Sequence, residues 1–88
     1  MEDLGAPASY LTLEPGTRVY FSDGEELGRV ARVLAEADAD IFEGIEVDPG
    51  ILARRRLVAA DLVDEIYERG VVLTIDSSQG EALPDAAS

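Results

Sequence analysis

The residues available for chemistry in this 88-residue chain are carboxylates, hydroxyls, arginines and tyrosines, because His, Cys and Lys are absent. General acid–base catalysis draws most often on His, and nucleophilic catalysis on Ser, Cys or Lys beside a base. Ser9, Ser22, Ser77, Ser78 and Ser88 fall in loop-like or terminal stretches with no neighbouring base, which argues against a hydrolase. Two carboxylates can share acid and base roles, but on a small domain without a large pocket acids are ordinarily solvated surface charge. Asp23, Glu25 and Glu26 crowd one turn, yet lack the alternating ligand positions and closing Glu of an EF-hand. Gly24 and Gly28 form no phosphate-cradling loop, since no Lys is present and no helix is expected to follow them. Without Cys there is no disulfide, and without Cys and His the preferred structural zinc ligands are gone. The expectation is a non-enzyme with no cofactor and no metal.

Binding residues are easier to nominate. Arg54, Arg55 and Arg56 make the one basic cluster in sequence, suited either to docking an acidic partner or RNA phosphate, or to local pairs with the abundant acids. Such surface pairs contribute only ~0–1 kcal/mol each. Tyr20 and Tyr67, if they face outward, offer the kind of side chain enriched in protein interfaces. Nineteen acidic against seven basic residues give a net charge of −12, which disfavours general affinity for nucleic acid or anionic membrane. An acidic, Lys-free surface fits high salt as well as compositional drift. No stretch approaches the ~20 apolar residues of a membrane span. The opening residues are acidic and lack the order of a signal peptide, so the expected location is cytoplasmic.

These residues need a scaffold, and the pattern supplies strands. Residues 1–8 mix acid, Gly, Ala and Pro without period and read as a flexible arm. Ser9–Leu13 reads as a short extended segment, and Glu14-Pro15-Gly16 as a turn. Thr17–Phe21 alternates, with Val19 and Phe21 on one face and Arg18 and Tyr20 on the other. Asp23-Gly24 is a strong hairpin signal, and five turn residues predict a bulge. The second strand runs from Leu27 to about Ala35; Val30 and Val33, three apart, share a face only if a bulge intervenes. Ile41–Asp48 alternates again, with Ile41, Ile45 and Val47 together, Glu43 interrupting and Gly44 marking a bend. Pro49-Gly50 ends it, and Leu57–Ala59 predicts a further strand. From Asp61 to Gly70 the local pattern favours a helix with Asp61 as cap and Gly70 as stop, against a turn followed by a strand pairing with Val71–Ile75. Residues 76–88 read as a polar tail.

The order GTRVYFSDGEELGRV, IFEGIEVDPG, RRLVAADLVDEI and GVVLTI resembles the PRC-barrel domain, through Gly16, Val19, Asp23, Gly24, Glu25, Gly28 and Val30 of its opening signature. Gly44–Val47 matches the family's middle strand, Val58–Val63 its corner, without the frequent Pro there, and Val71–Ile75 its closing strand. The nearest confusable class is the SH3-like barrel. The resemblance implies an all-β, small and strongly bent barrel over residues 9–75, with only a short helical turn at Ala60–Leu62 and Ile66–Arg69 in a strand. Family members include the cytoplasmic domain of the photosynthetic reaction-centre H subunit and the C-terminal domain of a ribosome maturation factor. It further implies a non-catalytic module working by protein–protein contact, with a second copy of the chain as one candidate partner. The alternative is an RNA- or ribosome-associated accessory domain using Arg54–Arg56.

Overall fold

The computed structural model describes residues 3–51 and 53–86. Six strands form one sheet in the spatial order β4-β3-β2-β1-β6-β5. They are β1 (Arg18–Tyr20), β2 (Glu26–Glu36), β3 (Ile41–Asp48), β4 (Arg56–Ala59), β5 (Val63–Tyr67) and β6 (Gly70–Leu73). All neighbours are antiparallel except β1 and β6, which run parallel through Val19↔Val71 and Tyr20↔Val72. The fold is all-β, with 3-10 turns as its only helical pieces among the described residues. The sheet bends strongly without closing, since among the described residues no ladder joins β4 to β5.

Bulges produce the bend. At the β1–β2 turn Gly24 adopts φ 89°, and its N–H donates to the Phe21 carbonyl. Register then slips, Val19 facing Gly28 and Tyr20 facing Glu26, which leaves Leu27 as the extra residue. The anticipated break between Val30 and Val33 is present: Val30 pairs with Val47, Arg32 with Glu46, and Ala31 is extra. A third slip places Leu34 opposite Gly44 and Ala35 opposite Phe42, so Glu43 bulges out of β3. A side-chain period of two cannot survive an inserted residue. Ile41, expected in the core, is therefore 47% exposed, while Phe42 packs against the core.

The core comprises Val19, Phe21, Val30, Ile45, Val47, Val58, Val71, Leu73 and Leu83. Leu83 is unexpected there, because residues 76–88 read as a tail. Instead Asp76 caps a 3-10 turn at Ser77–Ala82: its side chain accepts from Ser78 N–H, and Gln79 Oε1 accepts from Asp76 N–H, both at 3.0 Å. The turn lies on the Phe21 ring at Gly80 and drops Leu83 into the core. Beyond it, Leu57 N–H donates to the Pro84 carbonyl and Ala86 N–H to the Arg55 carbonyl, each at 2.8 Å. The outer edge of β4 is thus paired.

The expected flexible arm is likewise packed, over residues 3–8. Arg69 N–H donates to Leu4 O, Glu68 N–H to Ala6 O, and Ala8 N–H to Ile66 O. This antiparallel seam covers the outer edge of β5 and buries Leu4 against Tyr20 and Gly70. Tyr20 is consequently buried, not outward-facing. Met1 and Glu2 of the arm, and Ala87 and Ser88 of the tail, lie outside the described residues.

Two other segments depart from the local pattern. Tyr10–Thr12 is a 3-10 turn capped by Ser9, not an extended piece. Asp61–Gly70 is not a helix: a 3-10 turn at Ala60–Leu62 leads into β5, as the family resemblance implied, but the strand ends at Tyr67 and Glu68-Arg69 form the turn into β6 instead of continuing it. Pairing with β6 satisfies this segment's backbone and turns Ile66 and Val63 toward the core, so tertiary contact overrides propensity.

Candidate functional site

The sequence-nominated arginines do not form a free patch. Arg54 Nη1 lies 3.2 Å from Asp85 Oδ2, and Arg56 Nη1 is 3.8 Å from Asp85 Oδ1 while donating to the Leu83 carbonyl at 2.8 Å. Both hold the segment after the final 3-10 turn in place. Arg55 is exposed and contributes its backbone carbonyl to the same seam. The local-pair reading of this cluster thus describes Arg54 and Arg56.

Asp23 belongs to the same fastening. Its Oδ2 accepts from Ser77 Oγ–H at 2.6 Å and from Ser77 N–H at 3.2 Å. These bonds, the Ser77 hydroxyl first, hold the Asp23 carboxyl below the usual aspartate range. No group of acids, His or Cys among the described residues is arranged to hold a metal ion. The turn's acids therefore have a structural use in Asp23, which fastens the hairpin to Ser77.

A pH dependence follows from this contact. A carboxyl whose folded pKa is depressed adds stability that is fully present above its unfolded pKa and is lost as pH falls through the folded value. Acidification below the ordinary aspartate range should therefore loosen residues 77–86 before the sheet melts. Faster amide exchange at Leu57 and Ala86 than at Val71 would register it. Asp23→Asn should loosen the same amides already at neutral pH, and a uniform rate change across the sheet would contradict the assignment.

Tyr67, by contrast, lies on a groove. Pro7, Ala8, Thr12, Leu13, Glu14, Thr17, Ile66, Tyr67 and Glu68 surround an open cleft of about 450 Å³. A shallower depression continues it across Ala8 and Ile66 to Phe42, Ala60, Val63, Asp64 and Glu65. The segment along β5, β5 itself, Phe42 of β3 and the stretch around the 3-10 turn at Tyr10–Thr12 contribute to this surface. That turn is fixed by a stack of Tyr10 on Phe42, with ring centroids 5.1 Å apart, and by donation from Tyr10 Oη–H to Asp40 Oδ1 at 2.7 Å. The Asp40 carboxylate accepting that proton raises the Tyr10 pKa. Asp40 reaches this position from φ 54°, the left-handed region that Asp tolerates better than most residues.

The groove combines apolar walls, from Leu13, Ile66, Tyr67 and Phe42, with acids at Glu14, Asp64, Glu65 and Glu68. Sequence reasoning named Tyr67 and missed Leu13, Phe42 and Ile66. The signals for those three were apolar residues whose partners became neighbours only after the bulge at Glu43 and the β5 pairing.

Comparison with known proteins gives one family. The family description "PRC-barrel domain" matches residues 15–81. No curated protein matches the chain. The matched residues include every signature position singled out above, and the structure gives several of them a mechanical task. Val19 and Val30 fill the core, Gly24 supplies the positive φ of the turn, and Gly28 lies where a Cβ would meet the Asp48 carbonyl oxygen at 2.2 Å.

Proposed function

The chain belongs to the PRC-barrel domain family, and from that premise we propose that it is a non-catalytic module that binds a protein segment in the groove between Leu13 and Ile66. The groove carries this reading: apolar walls with acids beside them suit an extended segment that is apolar at its centre and cationic at its flanks. Charge supports the choice of occupant, since a net −12 attracts basic partners and repels acidic ones. The lack of His, Cys and Lys and the apolar core support a non-catalytic role.

A second copy of the chain fits the groove less well. It would bring another −12 charge to an acidic surface, and strand addition at either sheet edge meets a backbone seam already made by residues 4–8 or 84–86. The RNA reading loses support because Arg54 and Arg56 are engaged with Asp85.

The test uses short peptides with a Leu-containing centre and either Arg or Glu flanks, titrated into labelled protein. Arg-flanked peptides should shift the amides of Ala8, Leu13 and Ile66, and Glu-flanked peptides should not. Glu14→Arg with Glu65→Arg should weaken the Arg-flanked peptide by about tenfold, ~1.4 kcal/mol, and reverse the preference. Equal binding of both peptides, or shifts confined to other surfaces, would sink the proposal. Concentration-dependent sedimentation that the charge reversals abolish would replace the foreign segment by a second copy.

A further inference from the structure

Seven cations among nineteen acids should disperse, yet three of them converge at a place unrelated to the groove. Arg18 of β1 and Arg29 of β2 stand directly opposite each other in the ladder. Like charges in register oppose pairing. Arg69, from the turn between β5 and β6, joins them around a pocket of about 300 Å³ completed by Asp3, Leu4 and Gly16. Three segments distant in sequence therefore supply its positive charge.

Within the described residues the carboxylates nearest to these guanidinium groups are Glu26 and Asp3. Glu26 Oε1 is 3.9 Å from Arg18 Nε, and Asp3 Oδ1 is 3.9 Å from Arg69 Nη2. Arg29 makes no ion pair among the described residues, and its Nη1 reaches the Gly16 carbonyl at 3.4 Å. Asp3 is itself held in place, its Oδ1 accepting from Gly5 N–H at 2.9 Å. Asp3 thus lines a site whose described walls also carry Arg18, Arg29 and Arg69.

We propose that this pocket takes the phosphate group of a small ligand, with Arg29, Arg69 and Arg18 as its cationic walls and the Asp3 carboxylate as an internal competitor. Guanidinium forks match phosphate oxygens in pairs, and charge-assisted bonds of this kind are stronger than neutral ones. The size and charge of the molecule select a small ligand over a nucleic acid. A polyanion lying along the surface would meet many of the nineteen carboxylates, whereas one phosphate in the pocket lies among Arg18, Arg29 and Arg69, with Asp3 as the acid among the described lining residues.

The experiment titrates inorganic pyrophosphate into the labelled full chain at constant ionic strength and follows the arginine Nε–Hε resonances. Saturable shifts are expected at Arg18, Arg29 and Arg69. Arg29→Gln should weaken binding about tenfold, the scale of one lost charge-assisted hydrogen bond. Asp3→Asn should tighten it several-fold, a change that a purely structural role for Asp3 does not predict. Arg55→Gln should leave it unchanged. Should Arg29→Gln disturb the backbone spectrum, Arg69→Gln, in an exposed turn, takes its place. Shifts that never saturate, or that respond equally to Arg55→Gln, overturn the proposal. So does capture of single-stranded RNA through the same arginines without any response to pyrophosphate.

Discussion

Replacing Gly28 by alanine is expected to lower stability by on the order of 3 kcal/mol, the upper range for overpacking a tight site. The added Cβ would lie 2.2 Å from Asp48 O, 2.7 Å from Pro49 Cα and 2.8 Å from Asp48 C. All three are backbone atoms, so no side chain can swing away. Relief requires β2 and β3 to separate at the Gly28–Asp48 approach. Gly44 is pinched in the same manner, its Cβ position lying 2.3 Å from the Val58 carbonyl oxygen. Gly16 provides the contrast: φ is 94° but nothing lies within 4 Å, so alanine there carries conformational strain alone, roughly 1–2 kcal/mol. Urea unfolding should rank Gly28→Ala well below Gly16→Ala. Equal midpoints would show that the close approach at Asp48 is not a determinant of the fold.

The second large effect is expected at Leu83. This side chain is 4% exposed and is part of the core, so Leu83→Ala should cost about 2–5 kcal/mol through lost burial and the cavity left behind. Ending the chain at Ala82 should do more. It would remove the acceptor for Leu57 N–H and the donor to Arg55 O, and would leave Arg54 and Arg56 without Asp85. An unpaired edge strand is a template for intermolecular pairing, so the shortened chain should self-associate at concentrations where the full chain does not. Sedimentation velocity on Leu83→Ala and on the shortened chain separates the two contributions. A shortened chain with an unchanged unfolding midpoint would remove residues 83–86 from the account of the fold.

These two sites differ in how legible they were. Gly28 belongs to the opening signature, and the hairpin, the bulge near Ala31 and the span Ile41–Asp48 all follow from alternation and turn chemistry. Leu83 was hidden because a single apolar residue in a polar stretch has no period to betray it. Leu4 was hidden in the same way. The stretch Asp61–Gly70 misled for another reason. Its helical spacing is genuine, but a short isolated helix is marginal, and the ladder with β6 offered backbone partners along Val63–Tyr67. Ile41 and Phe42 exchanged places because the bulge at Glu43 shifts the parity of everything before it. Alternation set Tyr20 on the face opposite Val19, but the segment that folds over it and buries it lay beyond local reasoning. The candidate groove and the arginine pocket both required knowledge of which strands are neighbours. Arg18 and Arg29 are eleven positions apart in sequence and directly paired in the ladder, and Arg69 arrives through the parallel β1–β6 contact.

The two backbone seams outside the sheet also govern when the domain can be completed. During synthesis β1 must wait for β6 before its parallel neighbour exists, because Val19 pairs with Val71. Even then the outer edge of β4 remains open until Pro84–Ala86 have left the ribosome. Contacts between such distant parts of a chain slow folding, and a nascent sheet with one bare edge is exposed to pairing with its neighbours on the same message. The late-emerging segment from Ser77 to Ala86 therefore works as a closing latch, and the Asp23–Ser77 contact is where it first reaches the hairpin made at the start.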